Sequence, residues 1–431
     1  MRLARYFTLK PNENEQIILG CLTYASARLY NLGNYQRLNW SQDSNQEYPD
    51  WYKQKKELKE HFWYKNLASQ TAQETLKILS DNWDSFYESI KDYNKNPEKY
   101  NGKPHPPYYK PKNSKFNIRY LNNGFKIIDN KLRLSIPKKL KKYLKDKYSI
   151  GQKYLWIEIP EFLSSNRILE NVKRIEFKPL NNENYKVILT VKVATKEIKK
   201  DNNNYLSIDP GINNLMSCYC NKTKESFIID GGQYLAINRY FAKKIKHYQS
   251  ILNGQGNKNS KRINNLYSKR KKQLFHLIHS ATKKIVNYAV DNDISKVIIG
   301  DIKRIRKKAN LGKKNNQKLH KWPFNIIFQQ LEYKLNKEGI VLIKKKENYT
   351  SRCSPYSKKV TKKYSQPANR IKRGLYVDKQ RDVAFNSDLV GAYNIMRKYL
   401  QQRQKGDNIK LKPEGLNKIT KYKWNKQQFV A

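Results

Sequence analysis

After a short alternating start from Arg5 to Leu9, apolar residues along this chain fall at helical spacing. Ile17, Ile18, Cys21, Leu22 and Ala25 make one stripe within Glu15 to Leu38, and Ala72, Leu76, Leu79, Trp83 and Phe86 make another within Trp51 to Tyr93. Five prolines between Asn94 and Asn113 then forbid helix and predict a basic, aromatic connector. From Lys115 to Lys196 the period shortens to alternating runs such as Lys-Leu-Arg-Leu-Ser-Ile and Lys-Val-Ile-Leu-Thr-Val, divided by Asn, Gly and Pro, which predicts a small β-barrel or sandwich.

The polar stretch Lys199 to Asn204 marks a boundary. Beyond it the pattern predicts strands at Leu206 to Asp209, Leu215 to Cys220 and Ser226 to Ile229, then a long basic helical stretch from Tyr234 to Val290. A strand at Lys296 to Ile299, a helix at Lys318 to Lys337, a strand at Ile340 to Lys345 and a last helix at Ser387 to Leu400 follow. Three strands, helix, strand, helix, strand is the element order of an RNase H-like sheet. The segment from Gln401 onward reads as a polar, basic, flexible tail.

Composition changes what this architecture is for. The 431 residues hold 88 Lys plus Arg against 36 Asp plus Glu, a formal net charge of +52 that implies a polyanionic partner. The cations are spread among 32 Tyr, 14 Phe and 7 Trp, so phosphate neutralisation and base stacking are both available over a long surface. No segment has the roughly 18 apolar residues of a membrane span, and no secretion signal stands at Met1, so an intracellular, soluble protein is expected. Cys21, Cys218, Cys220 and Cys353 form no Cys-x-x-Cys pair, which argues against a disulfide scaffold. His276 and His279 sit three apart in a helical segment and read as a helix face, and no Ser/His or Cys/His nucleophile pair or Gly-rich phosphate loop is present.

In so basic a chain, acids in special settings stand out. Asp209 ends an apolar strand ahead of Pro-Gly, which aims its carboxylate at the carboxyl end of the sheet, although Asp-Pro-Gly is also a good turn. Asp388 falls in the first turn of the last helix, where a capping role would account for it, yet it shares a face with Ala392 and Ile395. For the acid between them there are two choices. Asp301 follows the strand Lys296 to Ile299, and Glu347 follows the strand Ile340 to Lys345; Glu347 is preferred because its longer side chain can span from an adjacent strand. Carboxylates gathered against a phosphate partner suit a divalent cation.

Five motifs in order, Asp-Pro-Gly-Ile-Asn-Asn at 209 to 214, Ile-Gly-Asp-Ile-Lys-Arg-Ile-Arg-Lys at 299 to 307, Gln-Lys-Leu-His-Lys-Trp-Pro-Phe at 317 to 324, Tyr-Thr-Ser at 349 to 351 and Asn-Ser-Asp-Leu-Val-Gly-Ala-Tyr-Asn-Ile at 386 to 395, resemble the TnpB-type RNA-guided nucleases. These are encoded by IS200/IS605-like transposons and are related to the type V CRISPR effectors. The resemblance implies a multidomain α+β chain: a split wedge β-barrel over 1–10 and 114–198, a helical recognition insert with the Pro-rich connector over 11–113, a RuvC-like, RNase H-like nuclease domain over 205–400, and the tail over 401–431. It implies DNA cleavage at three acids with Mg²⁺, two ions in all, on a target selected by a guide RNA and a short flanking motif, in a prokaryotic cytoplasm. Asp209 matches the first acid and Asp388 the third. The second usually stands where Gly300 stands here, and Glu347 fits the displaced glutamate of some members.

The resemblance departs again at the zinc ribbon, since Cys353 stands alone where relatives carry two Cys-x-x-Cys pairs; the insert at about 350–385 is expected to hold no zinc. Phosphate contacts are expected from Lys103 and Lys110 in the connector, from Lys303, Arg304, Arg306, Lys307 and Lys308 in the basic loop, from Arg370, Lys372 and Arg373 in the insert, and from the helix around Lys261 to Lys272. A rival reading keeps the fold, the guide RNA and the target DNA but makes the chain an inactive DNA-binding protein. Monomer and homodimer are both open.

Overall fold

The computed structural model describes residues 1–42, 46–180, 183–302, 312, 316, 322–372, 374–403, 411–417 and 419–431. The chain divides into two compact units, Met1–Ala194 and Thr195–Ala431.

Among the described residues the first unit has seven strands: β1 (Arg2–Leu9), β2 (Ile118–Leu121), β3 (Phe125–Ile128), β4 (Lys131–Ser135), β5 (Tyr154–Glu158), β6 (Val172–Pro179) and β7 (Tyr185–Lys192). They form two sheets, one ordered β1-β7-β6-β2 and one ordered β3-β4-β5, and the expected barrel does not close. The local reason is the short 3₁₀ turn Asn122–Gly124, which ends β2 after four residues and hands the chain to the second sheet. One core joins both sheets to the helices, with Phe7, Leu134, Ile157, Phe177 and Val187 packed beside Ile18, Leu22 and Leu76.

Two long helices supply those last residues. Glu13–Leu38 starts in a reciprocal cap, where the Asn12 side chain accepts from the Glu15 amide at 2.9 Å and the Glu15 carboxylate accepts from the Asn12 amide at 3.0 Å. Ser69–Lys95 packs against it through Leu79 and Trp83, and the Trp83 indole donates to Asn34 Oδ1 at 2.9 Å. The Pro-rich connector, whose prolines remove its own amide donors, is tied to Glu13–Leu38 through its carbonyls. Arg28, Asn31 and Asn34, three residues apart and so on one face, donate to the carbonyls of Pro111, Lys110 and Pro107 at 2.6, 2.8 and 2.8 Å.

The second unit is built on a seven-stranded sheet. Its first strands, β8 (Tyr205–Pro210), β9 (Asn214–Cys220) and β10 (Glu225–Asp230), form an antiparallel meander. Next come β11 (Lys296–Asp301), parallel to β8, and β12 (Val341–Lys346), parallel to β11. The strand pair β13 (Leu375–Asp378) and β14 (Val383–Asn386) stands apart as a hairpin. The segment expected to be a flexible tail instead carries β15 (Ile419–Asn425), which pairs in parallel with β10, and β16 (Gln428–Val430), giving the order β12-β11-β8-β9-β10-β15-β16. Tyr422, Trp424 and Phe429 pack on the sheet's core, which is why a polar segment can hold an edge strand.

Side chains on β8 and β11 alternate between two cores, as the pleat dictates. Leu206, Ile208, Val297 and Ile299 face the helices Lys261–Asp291 and Phe324–Lys337, while Tyr205 and Ile298 face the helix Ser387–Leu400 through Leu389, Val390, Tyr393 and Met396. The predicted single helix over Tyr234 to Val290 is two, Gly232–Gly254 and Lys261–Asp291; the break falls where Gly256 takes a φ of +68° and the Ser260 hydroxyl caps the second helix.

Candidate active site

β8, β11 and β12 run parallel, so their carboxyl ends open on one edge of the sheet. Asp209 ends β8, Gly300 lies near the end of β11, and Glu347 follows β12. Ile208 pairs with Ile299, which places Asp209 and Gly300 next to one another, and Gly300 pairs with Lys345 two residues before Glu347. Asp388 comes from above, on the helix Ser387–Leu400 that packs against β8 and β11.

Two glycines make the room. A Cβ at residue 300 would overlap Glu347 Oε1 and lie 2.7 Å from its Cγ. A Cβ at residue 391 would overlap Asp209 Oδ2 and lie 3.0 Å from its Cγ. The glutamate side chain therefore fills the space that a side chain on β11 would otherwise take.

Asp388 is not the cap of its helix. The Asn386 side chain accepts from the amides of Asp388 and Leu389 at 3.0 and 3.3 Å, and this leaves the Asp388 carboxylate free to accept from Asn214 Nδ2 at 2.9 Å. The turn bearing Glu347 is closed by Thr350, whose amide and hydroxyl both donate to the Glu347 carbonyl, at 3.1 and 2.8 Å. Tyr349 in that turn has a φ of +68°, a left-handed conformation that a non-glycine residue adopts at some cost. Asn394, fully buried, donates to the carbonyls of Thr350 and Cys353, both at 2.8 Å, and so fastens the helix of Asp388 to the turn of Glu347. Asn214, Thr350 and Asn394 stand inside the sequence motifs, where a polar residue within an otherwise apolar or turn segment is the only signal of these roles.

The electrostatics are those of crowded acids. Burial, then the charges of Glu347 and Asp388, raise the Asp209 carboxyl well above the usual range, and Arg370 opposes the rise. Glu347 is pushed up to about 7, first by burial and then by Asp301. Asp209 thus feels Glu347 and Asp388, whereas Glu347 feels Asp301. Glu347 Oε1 is buried with no hydrogen-bond partner among the described residues.

Among the described residues no group of three or more His, Cys, Asp or Glu side chains is arranged to enclose a metal ion. The donor chemistry nevertheless fits Mg²⁺, because the three converging groups are carboxylates and one buried oxygen has no other partner.

Asn394→Ala is expected to destabilise the fold by about 2 kcal/mol, since it leaves two buried carbonyls without a donor. Chemical denaturation reads this directly. An unchanged midpoint would show that the bridge carries no stability.

The insert at 350–385 is held by polar ties. The Ser354 hydroxyl donates to Asp378, which also pairs with Arg381 at 3.7 Å, and the buried Cys353 thiol donates to the Thr361 carbonyl at 3.4 Å. Arg370 and Lys372 are exposed there, and Lys103 is exposed in the connector. Lys110 is half-buried: its ammonium lies 4.4 Å from the Tyr30 ring centre and 4.7 Å from that of Phe116, where burial lowers its pKa. Lys303, Arg304, Arg306, Lys307, Lys308 and Arg373 lie outside the described residues. No helix among the described residues is long and apolar enough to cross a membrane.

A family model described as probable transposase, of the OrfB_IS605 group, matches residues 188–306, and a model described as Cas12f1-like, TNB domain matches residues 324–395. The chain thus resembles TnpB-type and type V CRISPR proteins along its second unit. No curated protein matches it. Among solved structures, a cryo-EM structure of a Cas12f1-sgRNA-target DNA complex shares the fold at 16% identity and a TM-score of 0.58, covering 89% of this chain and 83% of that chain. A structure of the mini-RNA-guided endonuclease CRISPR-Cas_phi3 is 11% identical over 94% of each chain with a TM-score of 0.48.

Proposed function

We propose that this protein is an RNA-guided DNA endonuclease whose second unit is a RuvC-like nuclease domain with Asp209, Glu347 and Asp388 as its acids. The observation that carries the proposal is the Glu347 carboxylate in the space left by Gly300, beside Asp209. Family resemblance over 188–306 and 324–395, with a like fold in a Cas12f1 complex that holds sgRNA and target DNA, supports the guide RNA and the DNA target. The excess of 88 cations over 36 acids supplies the means of holding both backbones.

Asp209, Glu347 and Asp388 would hold Mg²⁺, which when bound supplies positive charge to polarise the phosphodiester and activate water. The chain's own residues prepare the rest. Asn214 orients the Asp388 carboxylate, Gly300 and Gly391 leave space for the other two, and Arg370 brings a positive charge toward Asp209 where a phosphate would arrive. Each carboxyl must lose its proton before it can bind a cation, so a glutamate that titrates at about 7 limits activity on the acid side of neutrality.

The same shift predicts a pH dependence of stability. Glu347 holds its proton more tightly folded, at about 7, than in its ordinary state at 4.5, so the folded protein binds more protons across that window and loses stability as pH rises through it. The slope is at most about 1.4 kcal/mol per pH unit for one proton. Thermal melts between pH 5 and 8 without divalent metal should fall with pH, Glu347→Gln should flatten the fall, and Mg²⁺ should restore the melting temperature at pH 8. A profile that rises with pH and ignores Glu347→Gln would remove the basis for this assignment.

The function itself is tested by purifying the full chain with its co-expressed RNA and incubating it with a randomised-flank DNA library in Mg²⁺. Guided cutting supports the endonuclease. Guided binding without cutting under any divalent metal replaces it with the inactive DNA-binding protein.

A further inference from the structure

In the first unit the helix Lys138–Tyr148 buries Leu140 and Leu144 and exposes Lys138, Lys139, Lys142, Lys145 and Lys147. It ends where Ser149 takes a φ of +58° and the Ile150 amide donates to the Leu144 carbonyl at 3.1 Å. Its last residue, Tyr148, is 40% exposed and forms one wall of a groove of about 500 Å³. The first part of the helix Glu13–Leu38 lines it too, with Glu13, Gln16, Ile17, Gly20 and Cys21, as does Lys115. Gly20 has no side chain, and the Lys115 ammonium lies 3.7 Å from where its Cβ would be.

We infer that this groove takes one nucleotide of a bound single strand, its base stacked on Tyr148 and its phosphate on Lys115. The volume lies within the roughly 300–1,000 Å³ of small-ligand sites. Base edges present donors and acceptors together, and Gln16 and Glu13 offer partners for both; a lone phosphate, an acceptor at every oxygen, would use Lys115 but leave Glu13 unmatched. The lysine face of Lys138–Tyr148 carries the adjoining backbone. A lipid surface does not suit this helix, because its two leucines, Leu140 and Leu144, are already buried in the unit's core. The inference needs only nucleic-acid binding and stands whether or not the carboxylate site cuts DNA.

Cys21 reports on occupancy, because Cys218, Cys220 and Cys353 are buried and serve as internal references. Iodoacetamide alkylation of the full chain is followed by peptide mass spectrometry with and without a ten-nucleotide single strand, RNA in one arm and DNA in another, with saturation confirmed by anisotropy. The expected result is that one or both strands slow Cys21 alkylation about tenfold. Tyr148→Phe retains the protection, Tyr148→Ala and Lys115→Gln lose it, and anionic vesicles give none. Unchanged alkylation at saturation overturns the site, as does protection that survives Tyr148→Ala or that vesicles reproduce.

Discussion

Replacing Asp209 or Glu347 by alanine is expected to lower Mg²⁺-dependent DNA cleavage by about 10³-fold or more, while Asp301→Ala stays within about threefold. What separates these variants is which acids meet. Asp209 is raised by Glu347 and Asp388, and the Glu347 side chain reaches past β12 into the space beside Gly300. Loss of either ligand removes about 4 kcal/mol of cation-borne stabilisation at the reacting phosphate, and that is a factor of about 10³. The charge of Asp301 raises Glu347, so its removal should lower the Glu347 pKa and extend activity to lower pH. Single-turnover cleavage with the four proteins, each saturated with guide RNA, decides the matter. If Asp301→Ala falls with Asp209→Ala while Glu347→Ala cuts normally, the central acid is Asp301 and the present assignment fails.

The second large effect comes from a residue with no side chain. Gly300→Ala is expected to reduce cleavage by about 10²- to 10³-fold without unfolding the protein, because its Cβ would overlap Glu347 Oε1 and force the carboxylate away from Asp209. Gly300→Asp should be equally damaging alone. Combined with Glu347→Gly, it should recover at least about tenfold over Glu347→Gly, since the new carboxylate enters the space the glutamate vacates. Such sign-changing coupling between two positions requires that they compete for one place. Additive losses in the double variant would show that Gly300 and Glu347 act independently, and the shared-space argument would be withdrawn. Circular dichroism of each variant separates loss of fold from loss of activity.

Much of the second unit was legible as a string of residues. An apolar run ending in an acid located β8, because a strand buried on both faces must read as a continuous hydrophobic segment, while the Val-Leu-Ile start of β12, a half-buried edge strand, located the approach to Glu347. Asp209 and Asp388 could be chosen because a carboxylate at a strand end or on a packed helix face needs a reason to be there. Other features resisted. Alternation predicts a barrel in the first unit, yet it fixes which face of a strand is buried and not whether the first and last strands meet, and the two sheets stay open. The end of the chain was read as a tail, since β15 is polar over most of its length and gains its place from pairing with β10.

By itself the sequence determined the periods of its elements, its overwhelming positive charge, and the identity of three acids set in suggestive surroundings. Only the tertiary structure decided that Glu347 and Gly300 occupy one space, that Asn214 and Asn394 hold Asp388 and the Glu347 turn, and that Lys110 lies against aromatic rings. Periodicity and charge are properties of neighbours along the chain, which sequence displays directly. Steric exclusion, hydrogen bonding across dozens of residues and desolvation depend on which distant segments come together, and those terms exist only once the chain has folded.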